Sequence, residues 1–229
     1  MGLSKITFNE PNPFMANNKI GILGSGEVSR TLAAGFLKHG YDVMVGSRDA
    51  AKLKDWQKNF KTAKLGTFQE AARFGDLIVL SVKGTAAESL VKSLASDIDG
   101  KVVLDTTNPI ADAPPENAVL KFFTTLESSL MEKLQKAVPS AKFVKVFNTV
   151  GSNVMVNPAF PDGRATMFIC GNNDEAKQEV IRILDKFGWD PEDMGRIEAS
   201  RAIEPLAILW CIPGFVKNQW THAFRLVKL

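Results

Sequence analysis

A short apolar segment followed at once by two glycines constrains the fold of this chain more than any other feature. Lys19–Leu23 is apolar over most of its length, Gly24-Ser25-Gly26 follows it, and residues 28–39 then carry apolar side chains at helical spacing. The glycines allow a tight turn and a close approach of the backbone to a ligand. The start of the helix offers unpaired N–H groups and the positive end of its dipole. The segment therefore predicts a strand, a turn and a helix arranged to bind phosphate.

Apolar segments alternate with helical patterns along the rest of the chain. Runs that are apolar on consecutive residues and separated by helices are typical of a parallel sheet covered on both faces. We therefore predict an α/β fold with a doubly wound, mostly parallel sheet of the Rossmann type and a small C-terminal helical extension. The further strands are predicted at Asp42–Gly46, 77–82, 101–105, 143–147 and 165–170, and the helices at 85–94, Asp174–Lys186 and 198–210, with another opening at Asp49.

The end of the second predicted strand indicates which dinucleotide is bound. Segment 24–29 follows the G-x-G-x-x-G pattern except at its last position, where the small residue Ser29 stands. In NAD-binding proteins an acid about 20 residues further on binds the ribose 2′-hydroxyl, but this strand ends in Ser47-Arg48. A hydroxyl and a planar guanidinium suit a 2′-phosphate, whereas a carboxylate would repel it. We predict NADP(H) rather than NAD(H), and the alternative is that Arg48 is a solvated surface arginine.

The residues predicted to bind the cofactor come from several strand ends. The first group, around the phosphates, is Gly24, Ser25, Gly26, Glu27, Val28, Ser47, Arg48 and Lys52, while Asp49 is assigned to the start of a helix. Loops after the other parallel strands gather at the same edge of the sheet, where ligands bind in such folds. They are predicted to frame the ribose and nicotinamide with Ser81, Val82, Lys83, Thr107, Asn108, Pro109, Asn148 and Thr149. The alternative for each of these is ordinary turn chemistry.

The pattern divides the chain into three parts. Residues 1–18, which contain Pro11 and Pro13, are interpreted as an N-terminal extension, and 19–150 as the dinucleotide-binding Rossmann domain. Residues 151–229 are expected to complete that domain and to form the cleft or a dimer surface. The irregular stretch 110–126 is either a substrate-side loop or a long connection.

Five segments together resemble the deazaflavin-dependent (coenzyme F-420) NADP oxidoreductase family. They are 20–26, 45–48, 105–109, 145–149 and 170–176, and the likeness extends from Lys19 to about Lys186. The resemblance implies that Ser25, Ser47, Arg48 and Lys52 serve the phosphate ends of NADP. It implies a hydride transfer between NADP(H) and a flat small-molecule acceptor, with a deazaflavin or flavin as the possible co-substrate.

No catalytic side chain is identified, because hydride transfer between stacked rings needs alignment more than an acid or base. His39 is expected to be structural. His222 is expected to lie on the surface, with a pocket or a subunit contact as the alternative. Asp105 is expected to make structural hydrogen bonds, with a functional role as the alternative. Two alternatives remain open: a non-catalytic NADP(H) sensor, in which C-terminal aromatic residues would fill the cleft, and a carbonyl or imine reductase. The reductase would need a proton donor, for which Lys83 and Lys145 are candidates by location only.

Composition excludes several other classes of protein. The net charge of +3, without a basic block, does not favour nucleic acid, and no cluster has the spacing of metal ligands. Cys170 and Cys211 are interpreted as reduced core thiols, which favours the cytoplasm. No apolar stretch approaches the roughly 20 residues that span a membrane, since residues 206–215 are too few and contain Pro213. The apolar C-terminal helix is interpreted as core packing, with a homodimer surface or a wall over the nicotinamide cleft as the alternative.

Overall fold

The computed structural model describes residues 18–229, apart from the side chains of Ala50 and Lys52. The extension expected at residues 1–18 thus lies outside the described residues except for Asn18. The described strands are β1 Lys19–Leu23, β2 Asp42–Gly46, β3 Lys64–Gly66, β4 Leu77–Leu80, β5 Val102–Asp105, β6 Lys142–Lys145, β7 Thr166–Gly171 and β8 Asp190–Asp193. The α-helices are α1 Glu27–Lys38, α2 Lys54–Asn59, α3 Phe68–Phe74, α4 Gly84–Ser93, α5 Leu130–Ala137, α6 Asp174–Lys186 and α7 Ser200–Lys217.

The strands form one eight-stranded sheet in the order β3-β2-β1-β4-β5-β6-β7-β8. Every neighbouring pair is parallel except β6 and β7, which are antiparallel. The strand order reverses between β1 and β4, which is where a doubly wound sheet opens a crevice for ligands. The predicted fold class is confirmed.

Both faces of the sheet are covered by helices. Along β4, Leu77 and Val79 belong to one apolar cluster, while Ile78 and Leu80 belong to the other. Successive side chains of a strand point to opposite faces, so a strand buried on both sides must be apolar throughout. Residues of α1 and α6 fill the first cluster, and residues of α3, α4 and α5 fill the second.

Four of the described elements have no counterpart among the predicted ones, and the first is the three-residue strand β3. The edge strand β8 reads Asp-Pro-Glu-Asp and so lacks the apolar pattern of a strand. The helices α3 and α5 are short, with seven and eight residues, and each begins at a capping box, formed by Thr67 and Glu70 in α3 and by Ser129 and Glu132 in α5. These S/T-x-x-E patterns could have revealed both helix starts.

The irregular stretch 110–126 contains a small hairpin-like arm. Glu116 and Val119 exchange backbone hydrogen bonds of 3.0 and 2.9 Å across Asn117 and Ala118, both of which have positive φ. Two central residues with positive φ are the mark of a type I′ turn. The arm is held at its base by a 2.9 Å hydrogen bond from the N–H of Phe123 to the carbonyl of Pro109.

The last helix is longer than the sequence pattern indicated. The helix α7 continues through Pro205 and Pro213 to Lys217, so Pro213 does not end it. The ring of Trp220 packs against Gly214, where a Cβ atom would come within 2.3 Å of it. Tertiary packing of this kind can compensate for the loss of the backbone hydrogen bond that a proline removes from a helix.

This length corrects the expectation that no segment could span a membrane. Ile197–Lys217 forms 21 helical residues of mean hydropathy 1.3, which is long and apolar enough by length and composition. Core helices of globular proteins share both properties, and one face of α7 packs against the sheet with Ile203, Glu204 and Ala207 buried.

Candidate dinucleotide and acceptor site

The turn after β1 is built around Gly24, whose φ is +150°. A Cβ atom on Gly24 would lie 2.4 Å from both the Ser29 hydroxyl and the Ser81 carbonyl oxygen. The backbone N–H of Gly24 donates to the carbonyl of Gly46 at 3.1 Å, which ties the turn to the end of β2. Only glycine fits this conformation and this space.

The start of α1 presents backbone N–H groups to the cleft. Gly26 is the N-cap, no side chain caps the helix there, and a Cβ atom on Gly26 would meet nothing within 4 Å. The first N–H groups of a helix have no partner inside the helix. Together with the positive end of the dipole, they have the geometry expected of the phosphate site predicted for Gly24-Ser25-Gly26.

Ser29 and Ser81 join α1 to the loop after β4. Their hydroxyl oxygens lie 2.9 Å apart, and Ser81 also donates to the carbonyl of Leu23 at 3.3 Å. The hydroxyl of Ser81, predicted to contact the cofactor, is therefore hydrogen-bonded within the protein. Ser29 is fully buried, so its small side chain allows the helix to lie close to the strand.

The predicted 2′-phosphate site lies at the end of β2. Ser47 is buried, and its hydroxyl both donates to the carbonyl of Asp49 and accepts from the N–H of Asp49, at 3.1 Å in each case. The Asp49 carboxylate accepts from the N–H of Ala51 at 3.0 Å and caps the next helical turn, as expected. Arg48 is exposed and lines the cleft, and within the described part of the chain no carboxylate pairs with it. The side chain of Lys52 lies outside the described residues.

A cleft of about 740 Å³ runs from Arg48 past the start of α1 to the loop after β4. Among the predicted residues, it is lined by Gly24, Ser25, Gly26, Glu27, Val28, Ser47, Arg48, Ser81, Val82 and Lys83. At the Arg48 end, Phe68, Leu90 and Ser93 form a wall that sequence reasoning did not identify. Phe68 is the first residue of α3, so the Thr67–Glu70 capping box could have placed it at this edge.

A second cleft of about 510 Å³ continues from the first beyond Lys83. The two share Val28, Ser81, Val82 and Lys83, and the second is also lined by Thr106, Thr107 and Asn108. Its outer wall is the segment Ile110, Ala111, Asp112 and Ala113, which leads into the hairpin-like arm. Residues 110–113 thus line the second cleft, while the arm beyond them connects back to α5.

The polar side chains expected around the nicotinamide largely bond to one another. Asn108 donates to the carbonyl of Asn148 at 3.1 Å, and Asn148 donates to the carbonyl of Thr107 at 3.1 Å and to the side-chain oxygen of Asn108 at 3.2 Å. Asn148 and Thr149 are buried, as is Pro109. Asn148 therefore supports the wall formed by Thr107 and Asn108.

Lys145 lies beneath this wall and is fully buried. Its Nζ is 2.7 Å from Oδ2 of Asp105 and 2.9 Å from Oε1 of Glu204, and it donates to the Thr107 carbonyl at 2.9 Å. Burial by itself lowers the pKa of Lys145, but the two carboxylates outweigh it and raise the pKa above its usual value. Lys145 is thus a structural cation and not the proton donor for which its location made it a candidate. Lys83, the other candidate, is exposed and 3.8 Å from Asp112.

The C-terminal tryptophans lie beside the cofactor cleft and do not line it. Trp210 and Trp220 line an adjoining cavity of about 590 Å³ with Arg30, and this cavity shares Glu27 and Ser152 with the cofactor cleft. His222 stacks on Trp210 with ring centroids 4.9 Å apart, and its Nε2 lies 3.0 Å from the Trp210 carbonyl oxygen. The expected surface role of His222 is wrong, because the last residues fold back onto α7.

The other expected groups are placed as follows. Burial raises the pKa of the Cys170 thiol to about 12, and Cys211 is partly buried; both thiols are free. His39 lies at the end of α1 and stacks on Phe187, a structural contact. Among residues 18–229, no three His, Cys, Asp or Glu side chains are grouped so that they could hold a metal ion.

Comparison with known proteins agrees with this architecture. Residues 19–109 match the model of the family described as NADP oxidoreductase, coenzyme F420-dependent. The F420-dependent NADP reductase of Methanocaldococcus jannaschii is 29% identical over 206 residues, which cover 83% of this chain and 90% of that protein. A crystal structure from Arthrobacter sp. FB24, provisionally described as an F420-dependent NADP reductase, has a TM-score of 0.85 and 27% identity, and the match covers 93% of this chain and all of that one.

A longer relative shares the same region. Metalloreductase STEAP3 of Rattus norvegicus is 30% identical over 200 residues, which are 85% of this chain. This chain spans only 38% of the length of that metalloreductase.

Proposed function

We propose that the chain is an NADP-dependent oxidoreductase like the coenzyme F420-dependent proteins that it resembles, and that it transfers a hydride between NADP(H) and a flat acceptor such as a deazaflavin or flavin. The observation that carries this proposal is the second cleft, which opens directly from the dinucleotide cleft. Its volume of about 510 Å³ lies within the usual range for small-molecule sites.

The side chains of this cleft favour a ring as the acceptor. Among the described residues that line it, the titratable ones are Lys83 and Asp112, both on the exposed rim. Reduction of a carbonyl or imine needs a proton donor close to the reacting atom. Hydride transfer between stacked rings needs alignment and exclusion of water, which the packed wall of Thr106, Thr107 and Asn108 is suited to provide.

The proposed binding roles follow the length of the two clefts. The N–H groups at the start of α1 bind the pyrophosphate, and Arg48 pairs with the 2′-phosphate while Ser47 holds that loop. Phe68 and Leu90 contact the adenine ring, and Val28 and Val82 contact the nicotinamide side. NADPH supplies the hydride when it is bound.

One experiment tests the acceptor. The purified chain is mixed with NADPH, and the loss of absorbance at 340 nm is followed with a deazaflavin, a flavin, a ferric chelate and small carbonyls or imines. We expect oxidation with the deazaflavin or the flavin, and a much smaller rate when NADH replaces NADPH. Oxidation by carbonyls or imines alone would instead support an imine-reductase type of reaction. Tight NADPH binding without oxidation by any acceptor would support a redox sensor.

We also propose a cytoplasmic homodimer in which the outer side of α7 contacts a second copy. Leu209, Phe215 and Val216 are exposed there, and exposed apolar side chains that cluster often mark an interface. Light scattering during size-exclusion chromatography should give twice the 25.1 kDa chain mass. A Leu209→Glu variant should return the mass to that of one chain. A wild-type mass of one chain at high concentration would contradict the dimer.

A further inference from the structure

The buried charges around Lys145 lie outside the binding roles proposed above, although they adjoin the second cleft. Asp105 and Lys145 end neighbouring parallel strands, where they are partners in the register of β5 and β6. Their side chains therefore project to the same face of the sheet. Glu204 comes from α7, almost 100 residues after Asp105, and is 1% exposed. We call Lys145, Asp105 and Glu204 the buried triad.

The triad contains one more negative charge than positive charge, and the surrounding N–H groups compensate for it. Glu204 accepts from the backbone N–H groups of Leu130 at 2.9 Å and Met131 at 3.0 Å, at the start of α5. Asp105 accepts from both the N–H and the hydroxyl of Thr107, at 2.9 and 2.6 Å. Burying a charge without such partners destabilises the folded state. The hydrogen bonds and ion pairs of the triad therefore fix the positions of α5, α7 and the Thr107 loop relative to one another.

Thr107 is the point at which the triad meets the second cleft. Its N–H and hydroxyl bind Asp105, while its carbonyl accepts from both Lys145 and Asn148. The peptide groups on both sides of Thr107 are thus held by the triad and by Asn148. Phe147, which precedes Asn148, has a φ of +59°, a conformation that is costly for a bulky residue and persists only where its surroundings hold it.

We propose that Lys145, Asp105 and Glu204 are positioning residues that hold the Thr107–Asn108 wall in the orientation needed by the nicotinamide ring. The inference rests on the proposed function, because it assumes that the nicotinamide lies at the second cleft. It assigns the alignment of the ring to buried charges that lie behind the Thr107–Asn108 wall. It also makes α7 part of the site, since Glu204 connects that helix to Lys145.

The test compares two ligands that share the phosphate end and differ at the nicotinamide. Dissociation constants for NADPH and for 2′-phospho-ADP-ribose, which lacks the nicotinamide, are measured for the wild-type chain and the Glu204→Gln variant. We expect about tenfold weaker NADPH binding, the effect of losing one charged hydrogen bond, with the fragment changed less than about twofold. The readout needs no acceptor, so its failure is distinct from a failure of the proposed hydride transfer.

A second variant guards against a failure to fold. Lys145→Met alone leaves two carboxylates buried together, whereas Lys145→Met with Asp105→Asn removes opposite charges and leaves Glu204 on the N–H groups of α5. This double variant should show the same selective loss of NADPH affinity. Where acceptor turnover is measurable, kcat should fall by a larger factor than the KM for NADPH rises.

Glu132→Gln is the matched control, because Glu132 also joins α5 to α7 through Arg201 but is paired with Arg201 and Ser129 and not with Lys145. It should lower stability without changing the ratio of the two dissociation constants. An equal loss of affinity for NADPH and fragment in Glu204→Gln would overturn the proposal. So would the same change of ratio in Glu132→Gln, since the effect would then come from a loosened α7.

Discussion

The two ends of the cofactor cleft are built in opposite ways. At the phosphate end, Arg48 is exposed and the N–H groups after Gly26 face the cleft. At the far end, Thr107 and Asn148 are buried. Asn148 donates a hydrogen bond to Thr107, and Thr107 is hydrogen-bonded to the triad. A strongly charged group can be bound by exposed partners in a short motif. A neutral ring must be aligned by the shape of a wall, and that wall has to be held from behind.

The largest effect is expected from a substitution in the glycine turn at the phosphate end of the cleft. Gly24→Ala should lower the free energy of unfolding by about 3 kcal/mol, because a methyl group there overlaps Ser29 and Ser81 and the positive φ is strained. Urea unfolding measures the loss of stability, and NADPH titration measures the loss of cofactor binding that follows from a displaced turn.

Gly26→Ala is the matched control for this glycine. Its Cβ would meet nothing within 4 Å, so stability should change by less than about 1 kcal/mol while phosphate binding weakens. A Gly24→Ala protein as stable as the wild type would contradict the account of the turn.

The next prediction tests whether Arg48 recognises the 2′-phosphate of NADPH. Arg48→Ala should weaken NADPH binding by about 10- to 100-fold, the value of a charged hydrogen bond, and leave NADH binding nearly unchanged. The preference for NADP(H) should disappear as a result. Lys58→Ala removes another exposed cation nearby, one paired with Asp55, and should change neither affinity. Retention of full NADPH affinity in Arg48→Ala would mean that Arg48 is only a surface residue.

A smaller effect separates ring contacts from phosphate contacts. Phe68→Ala should weaken NADPH and NADH equally, by roughly three- to tenfold, since aromatic contacts contribute about 0.5–1.5 kcal/mol. Phe74→Ala, on the same helix but outside the cleft, is the control and should leave both affinities unchanged. A loss confined to NADPH would place Phe68 near the 2′-phosphate and not near the adenine.

The last prediction concerns stability alone and the ion pair that joins α5 to α7. Arg201 hydrogen-bonds Glu132 and lowers the pKa of that carboxyl to about 2. A carboxyl whose pKa is lower in the folded state stabilises the fold above its ordinary pKa of 4.5, and this stability is lost as the pH falls from there toward 2.

Glu132→Gln should therefore cost on the order of 1–2 kcal/mol at pH 7, and the difference from the wild type should shrink by pH 3. Urea unfolding at both pH values measures this. The exposed pair of Glu88 with Lys92 gives a control in Glu88→Gln, which should cost less than about 0.5 kcal/mol. A difference that stays constant with pH would show that the pair does not carry the effect.

Local patterns predicted the strands and helices where burial imposes a period. β1 and β2 match their predicted bounds, as does α6, because apolar runs and helical spacing are unambiguous there. The sequence pattern does not predict β8, because this edge strand consists of polar side chains and a proline. The helix α7 runs to Lys217, beyond the predicted end at residue 210, because packing of Trp220 on Gly214 supports the helix past Pro213.

The candidate site divides in the same way. Gly24, Ser47 and Arg48 could be read from the sequence because phosphate recognition depends on a few adjacent residues and on the backbone between them. The buried triad could not, because Glu204 meets Lys145 only after α7 has packed across the sheet. Phe68, at the start of α3, and Ile110, in the segment after β5, reach the clefts from separate parts of the chain, so no local pattern joins them to the glycine turn.

The sequence by itself determined the doubly wound α/β fold, the phosphate-binding turn and the preference expected from Ser47-Arg48. These depend on interactions between residues near one another in the chain, or on periodicity that burial requires everywhere. Only the tertiary structure decided that Lys145 is a paired cation, that Asn148 supports the cleft wall from behind and that Glu204 of α7 meets Lys145. Those roles arise from contacts between distant segments, in an interior where each charge must find its partner.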